Sequence, residues 1–264
     1  MKSRLLTIVC LLLSTFPASA DPLVARFESN MGDFDVLLDP IAAPRSVGNF
    51  SAYANRGAYD ASIIHRSTTY NPIDIQIVQG GGFQLVTTNL FWVPPDPSIP
   101  LEASLANTRG TLAMARGNES DSATSQWYFN VSDNPGLDFN YAVFGRVLGT
   151  GISVVDAIGA VDVYDFGSIF AELPLFGPQP FFQNFILIKA IRVEPFAITK
   201  ITHNGTETEL RWTPLSTNTP VRVERATDTA SRNWTGIATN LTGGTFIDTN
   251  SPTGAAYYRL VTEP

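Results

Sequence analysis

Few side chains in this sequence could do chemistry, and those that could fall in three short stretches. Ile63-Ile64-His65-Arg66 puts one cation at a strand-like position. Ile77-Val78-Gln79, leading into Gly80-Gly81-Gly82-Phe83, and Ser125-Gln126-Trp127-Tyr128-Phe129 each carry one amide in an apolar run. A glutamine can donate to and accept from a peptide backbone at once, or equally satisfy backbone within its own fold, and Gln79 and Gln126 are the amides so placed. His65 is the tempting acid or base. Strand alternation, however, turns it away from the face of Arg66, and it is assigned to structure. His203, beside an Asn-Gly turn, has no candidate partner.

Other chemistries lack their parts. The sequence has no Gly-x-Ser-x-Gly, a single cysteine (Cys10) and two histidines, which leaves hydrolysis by a nucleophile and zinc binding without ligands or bases, and no metal is expected. Asn118-Glu119-Ser120-Asp121 lacks the spacing of a calcium loop. The glycine triplet is followed by no Lys-Ser/Thr and no helix signal, so positive φ or close backbone approach explains it better than a phosphate cradle. Asn-x-Ser/Thr at Asn204, Asn233 and Asn240 is expected by chance in a chain this rich in Asn and Thr.

The elements that must position these residues are mostly strands. Met114 to Gly145 alternates apolar and polar residues at both ends around a polar middle, which reads as two half-buried strands presenting one loop. Leu23 to Leu38 reads as a hairpin about Asn30-Met31-Gly32-Asp33. Pro44, Val47, Phe50, Tyr53 and Ala54 predict a helix up to Asn55-Arg56-Gly57. Phe91 to Pro100 reads as an irregular excursion, Ile152 to Gly159 as a second short helix, and Phe166 to Asn184 as a wrap over the outside. Ile186 to Val193 reads as a closing strand. The count is about eight strands and two helices, at which a closed barrel fills its own interior. The site must then lie on the outer face.

In their order, HR, VQGG, MAR, SATSQWYF and YAVFG resemble the cyclophilin peptidyl-prolyl isomerases over roughly Leu23 to Pro195. The resemblance implies a mainly β fold, a closed eight-stranded cyclophilin-like barrel capped by two helices. It implies that Arg66 and Gln79 act on the prolyl bond and that Gln126 flanks the substrate. It places Ile77, Tyr128 and Leu137 around the proline ring, has Ala115 and Arg116 offer backbone to the residue before it, and sets Tyr141 at the rim. No cofactor is implied, and the partners are proline-containing segments of unfolded or flexible polypeptides. Two positions depart from the family pattern. Gln76 stands where a phenylalanine is usual, and Gly136 where a large aromatic is usual. The loss of an apolar wall costs ~1–3 kcal/mol of binding, so a peptide-binding chaperone or adaptor with reduced catalysis is the competing expectation. Tyr128 and Tyr141 replace a commoner phenylalanine and histidine, with hydroxyls that could reach water at the rim.

The ends of the chain add two further parts. Met1 to Ala20, with Lys2 and Arg4 before an apolar run Leu5 to Leu13 and Pro17-Ala18-Ser19-Ala20 after it, reads as a secretory signal peptide cut before Asp21. That implies export to the periplasm, the cell surface or the medium. No later run is long enough to span a bilayer. Taking Lys2 and Arg4 from the 17 basic side chains, against 24 acidic ones, moves the formal net charge from −7 to −9. Such acidity argues against a nucleic-acid partner, and a monomer is expected. Residues 21–195 form the expected isomerase domain. Residues 196–264 carry short alternating strands between Asn-Gly, Pro and Ser/Thr/Asn turns, and read as a small β-sandwich domain similar to abbreviated fibronectin type III-like modules. Trp212 and Trp234 are expected in its core, which makes the module a spacer; exposed, they would suit a surface-binding role.

Overall fold

The computed structural model describes residues 22–68, 75–213, 215, 219–228, 233–252 and 254–262. The expected signal peptide, its cleavage site at Asp21 and residues 70–74 of the polar connection lie outside the described residues.

In chain order the first part comprises β1 (Leu23–Ser29), β2 (Phe34–Leu38), α1 (Pro44–Asn55), β3 (Ser62–Ile63), β4 (Arg66–Ser67), β5 (Ile77–Gly80), β6 (Phe83–Val86) and β7 (Asn89–Trp92). It continues with β8 (Thr111–Met114), β9 (Trp127–Asn130), β10 (Val143–Val147), α2 (Ile152–Gly159), β11 (Val163–Tyr164), β12 (Leu173–Pro174) and β13 (Leu187–Pro195). All but β11 and β12 join one eleven-stranded sheet, ordered β4-β5-β9-β8-β10-β2-β1-β13-β3-β6-β7.

The sheet curls because β3 and β4 are consecutive in the chain yet lie at distant places in this order. Between them the ladder is interrupted: Ile64 N–H donates to Ile186 O and His65 N–H to Gln79 O. The expected closed eight-stranded barrel is thus a curled sheet, a half-barrel in its hydrogen bonding, joined round by two residues of single chain. Phe91 and Trp92, read from sequence as an irregular excursion, instead belong to β7, where they pair with Gln84 and Phe83.

Aromatic side chains fill the interior. Phe27, Phe34, Phe50, Tyr59, Trp127, Phe129 and Phe144 are all buried, and Phe27 touches Phe34, Phe50, Trp127 and Phe129 at centroid distances of 5.0–6.0 Å. No lumen remains, so a ligand must bind outside. Helix α1 turns Val47, Phe50, Tyr53 and Ala54 into this core. Its first turn lacks a side-chain cap from Ala43. Glu102, far along the chain, supplies one instead: its carboxylate accepts from the Arg45 and Ser46 amides and the Ser46 hydroxyl. The glycine triplet behaves as expected. Gly81 has φ +76°, and a Cβ on Gly80 would come within 2.6 Å of the Trp127 ring.

After Pro195 come β14 (Ile198–Asn204), β15 (Glu207–Trp212), β16 (Val221–Ala226), β17 (Thr235–Leu241), β18 (Thr245–Asp248) and β19 (Tyr257–Thr262). They form two three-stranded sheets, β14-β15-β18 and β17-β16-β19. Leu210, Trp212, Val221 and Val223 make the core between them. That core also takes in Val24 and Leu148, with Leu37 packed against it, so it rests on the outside of the barrel. Trp212 is buried as expected. Trp234 is only half-buried, under the Arg259 guanidinium at 4.5 Å.

Candidate active site

Three neighbouring strands bring the chemistry together. On β4, β5 and β9, Arg66 lies directly opposite Gln79, and Gln79 directly opposite Tyr128. Directly opposed residues point to one face of a sheet, so the period-2 pattern of three separate segments becomes one outward row. Ile77, two residues before Gln79, shares that face. Above the row opens a cleft of about 480 Å³ lined by Arg66, Gln79, Ile77, Tyr128, Ala115, Arg116, Leu137 and Tyr141, together with Thr68, Ile75 and Glu172. Of the residues expected to touch a substrate, only Gln126 is missing from this lining. Ile77, Tyr128 and Leu137 belong to a small apolar cluster with Ala113 and Val143, a floor suited to an uncharged ring.

Gln126 stands directly behind. Its Oε1 accepts from Gln79 Nε2 at 2.8 Å and meets His65 Nε2 at 3.2 Å. The Gln126 oxygen is thereby engaged within the protein, tying Gln79 to His65 behind the cleft. The preceding residue is pinned from inside, since Ser125 O accepts the buried Tyr59 hydroxyl at 2.7 Å. His65 is buried, in keeping with its assignment to structure. It does not turn away from the site as alternation suggested, because the ladder breaks at this residue and leaves its ring against Gln126. Burial lowers its pKa to about 4, despite the hydrogen bond to Gln126 that raises it. The imidazole therefore stays neutral at physiological pH.

Arg66 is not alone in the cleft. Its Nε donates to Glu172 Oε2 at 2.7 Å, with the two side chains 43% and 24% exposed. Glu172 is itself held by backbone, its carbonyl accepting from Ser67 N–H. In so exposed a setting the ion pair adds little stability, but it fixes how the guanidinium is presented. Sequence reading missed Glu172, which comes from the irregular segment expected only to wrap the outside. Thr68 was missed too; its hydroxyl accepts the Ile77 N–H and donates to Ile75 O.

The remaining wall is built from loops. Arg116 lies over the Tyr141 ring at 4.7 Å and donates to the carbonyls of Asn140 and Gly117. The Ala115 N–H is taken by Gln126 O, so it is not the group that meets a peptide. The Tyr128 hydroxyl does not reach water at the rim. It turns inward to Asn107 Oδ1 at 2.7 Å, and burial, helped by Tyr141, pushes its pKa well above the ordinary tyrosine value. Gln76 is bound through its backbone to Asn134. A Cβ on Gly136 would meet nothing within 4 Å, so there is free space at the position, next to Leu137, where a large aromatic is usual in the family.

Comparison with known proteins agrees with this geometry. The family model for cyclophilin type peptidyl-prolyl cis-trans isomerase/CLD matches residues 24–172. A peptidyl-prolyl cis-trans isomerase of Acinetobacter baylyi is 40% identical over 174 residues, covering 63% of this chain and 87% of the relative. Peptidyl-prolyl cis-trans isomerase A of Dickeya dadantii is 38% identical over 180 residues, covering 63% and 90%. In fold, a cyclophilin type isomerase of Cryptosporidium parvum, crystallised in the presence of the dipeptide Ala-Pro, superposes with a TM-score of 0.50 at 22% identity, covering 65% of this chain and 98% of that one. With matched sequence running from the first barrel strand to Glu172, the chain belongs to the cyclophilin-type peptidyl-prolyl cis-trans isomerase family.

Proposed function

We propose that this isomerase acts on X-Pro bonds of exported polypeptides, with Arg66 stabilising the twisted prolyl amide. The observation that carries the reading is the outward row Arg66–Gln79–Tyr128 above an apolar floor. Rotation about a peptide bond faces a barrier of ~18–20 kcal/mol, because the nitrogen lone pair is delocalised into the carbonyl. Twisting localises that pair on nitrogen, and a guanidinium nearby then binds it more tightly than it binds the planar amide. Ile77, Tyr128 and Leu137 receive the ring, while Gln79 and Gln126 hold backbone on either side. No proton moves, which fits a neutral His65 and a Tyr128 whose burial keeps its hydroxyl protonated.

A protease-free prolyl isomerisation assay on wild type and Arg66→Ala tests this. Loss of a charge aimed at the transition state is expected to lower kcat/KM by about 10²–10³-fold. A second reading, a peptide-binding chaperone or adaptor with reduced catalysis, draws on the open position at Gly136 and on Gln76. It predicts equal, near-background rates for both proteins, with peptide binding retained. In the isomerase reading residues 1–20 serve as the export signal, 21–195 as the isomerase and 196–264 as a spacer. The burial of Trp212 and the Arg259 cover on Trp234 favour that spacer role over surface binding.

A further inference from the structure

The cleft does not end at Arg66. Arg66, Gln79 and Glu172 each face two cavities, the cleft above the apolar floor and a second chamber of about 370 Å³. The three side chains thus form a partition shared by the two cavities. The far walls of the chamber are mixed: Phe83, Trp92 and Ile169 supply apolar side chains, Gln126 and Ser168 stand beside them, and the His65 ring lies behind. Phe83 is buried and fixed, its centroid 5.1 Å from His65, 4.9 Å from Phe170 and 4.3 Å from Trp92. Trp92 and Ile169, by contrast, are 57% and 45% exposed. One sits on the outermost strand of the sheet, the other in the 3-10 turn Ser168–Phe170. Large apolar groups left open on both sides of a fixed aromatic base make a slot for an apolar side chain. The shared partition sets that slot next to the cleft, within reach of an extended peptide whose residues advance about 3.3 Å each.

We propose that this chamber is a specificity subsite for an aromatic or large aliphatic side chain within two residues of the substrate proline. The assignment rests on the isomerase reading of the cleft. The test is a set of peptides around one X-Pro bond, with Phe, Leu, Ser or Gly placed in turn at each position from two before to two after the proline. Isomerisation (kcat/KM) and affinity by calorimetry are measured separately on the full chain. At one position Phe and Leu are expected to exceed Gly by about tenfold. Trp92→Ala and Ile169→Ser, checked for folding by circular dichroism, should each reduce that preference to about twofold. Flat preferences at every position, or a preference that survives both substitutions, overturn the subsite. If no peptide is isomerised but calorimetry still ranks Phe over Gly and Trp92→Ala removes the ranking, the isomerase reading falls and the subsite stands.

Discussion

The cleft has two walls of different construction. Arg66, Gln79 and Tyr128 stand on adjacent strands whose reverse side is the aromatic interior, so each is held by a ladder and by packing beneath it. Leu137, Tyr141, Arg116 and Glu172 stand on loops and a 3-10 turn, outside the strand ladders, and are held by local contacts such as Leu137 N–H to Asn134 O, Arg116 to Asn140 O and Ser67 N–H to Glu172 O. The difference separates two tasks. A group that must meet a twisting amide within a fraction of an ångström belongs on the rigid wall, whereas groups that set which peptide is gripped can change on the other without disturbing the fold.

The largest effect should come from undermining the strand wall. Trp127→Ala empties a fully buried site beside Gly80 and Gly81 and is expected to cost about 3–5 kcal/mol in chemical denaturation, with isomerase activity lost alongside. A cost below about 1 kcal/mol would mean that the interior does not hold that wall. His65 offers a second lever on the same wall. Its folded pKa of about 4 lies below the unfolded 6.5, so the unfolded chain takes up a proton that the folded chain refuses. Stability is complete above pH 6.5 and declines as pH falls to about 4, by roughly 3 kcal/mol. A series of melts against pH would show that slope, and His65→Gln should flatten it.

On the loop wall the effects should appear in kinetics and leave stability alone. Glu172→Gln removes the charge that orients Arg66, and kcat is expected to fall about tenfold with little change in KM, Glu172→Asp recovering part of it. A loss of Tm in place of kcat would make Glu172 a structural residue and erase the contrast between the walls. The smallest effect is a gain. Gly136→Phe builds into open space, and KM should drop several-fold with Tm unmoved.

The same contrast governs how much could be read from the sequence. The strand wall was legible because HR, VQGG and SATSQWYF carry the family resemblance that names Arg66, Gln79 and Tyr128, and the strand pairing sets those three on one face. Helices α1 and α2 were legible from apolar spacing and from Pro44 and Gly159. Glu172 was not, since it reaches Arg66 across 106 residues from a segment with no period. The interruption of the ladder at Ile64 and His65 also left no mark in composition, which is why His65 was turned the wrong way. In the tail, β17 and β18 escaped notice because Thr235–Leu241 and Thr245–Asp248 bury their residues only in part, so no clean alternation separates them from turns.

The pairing of β1 with β13 has a consequence in time. Leu23 meets Pro195 and Phe27 meets Ile191, so the first strand of the barrel has no partner on that side until some 170 residues have followed it. Contacts of such span make folding slow, because the loop must close before anything rewards it. A chain emerging from a ribosome therefore stays open along this edge, and β1 gains its second partner only after β13 has arrived.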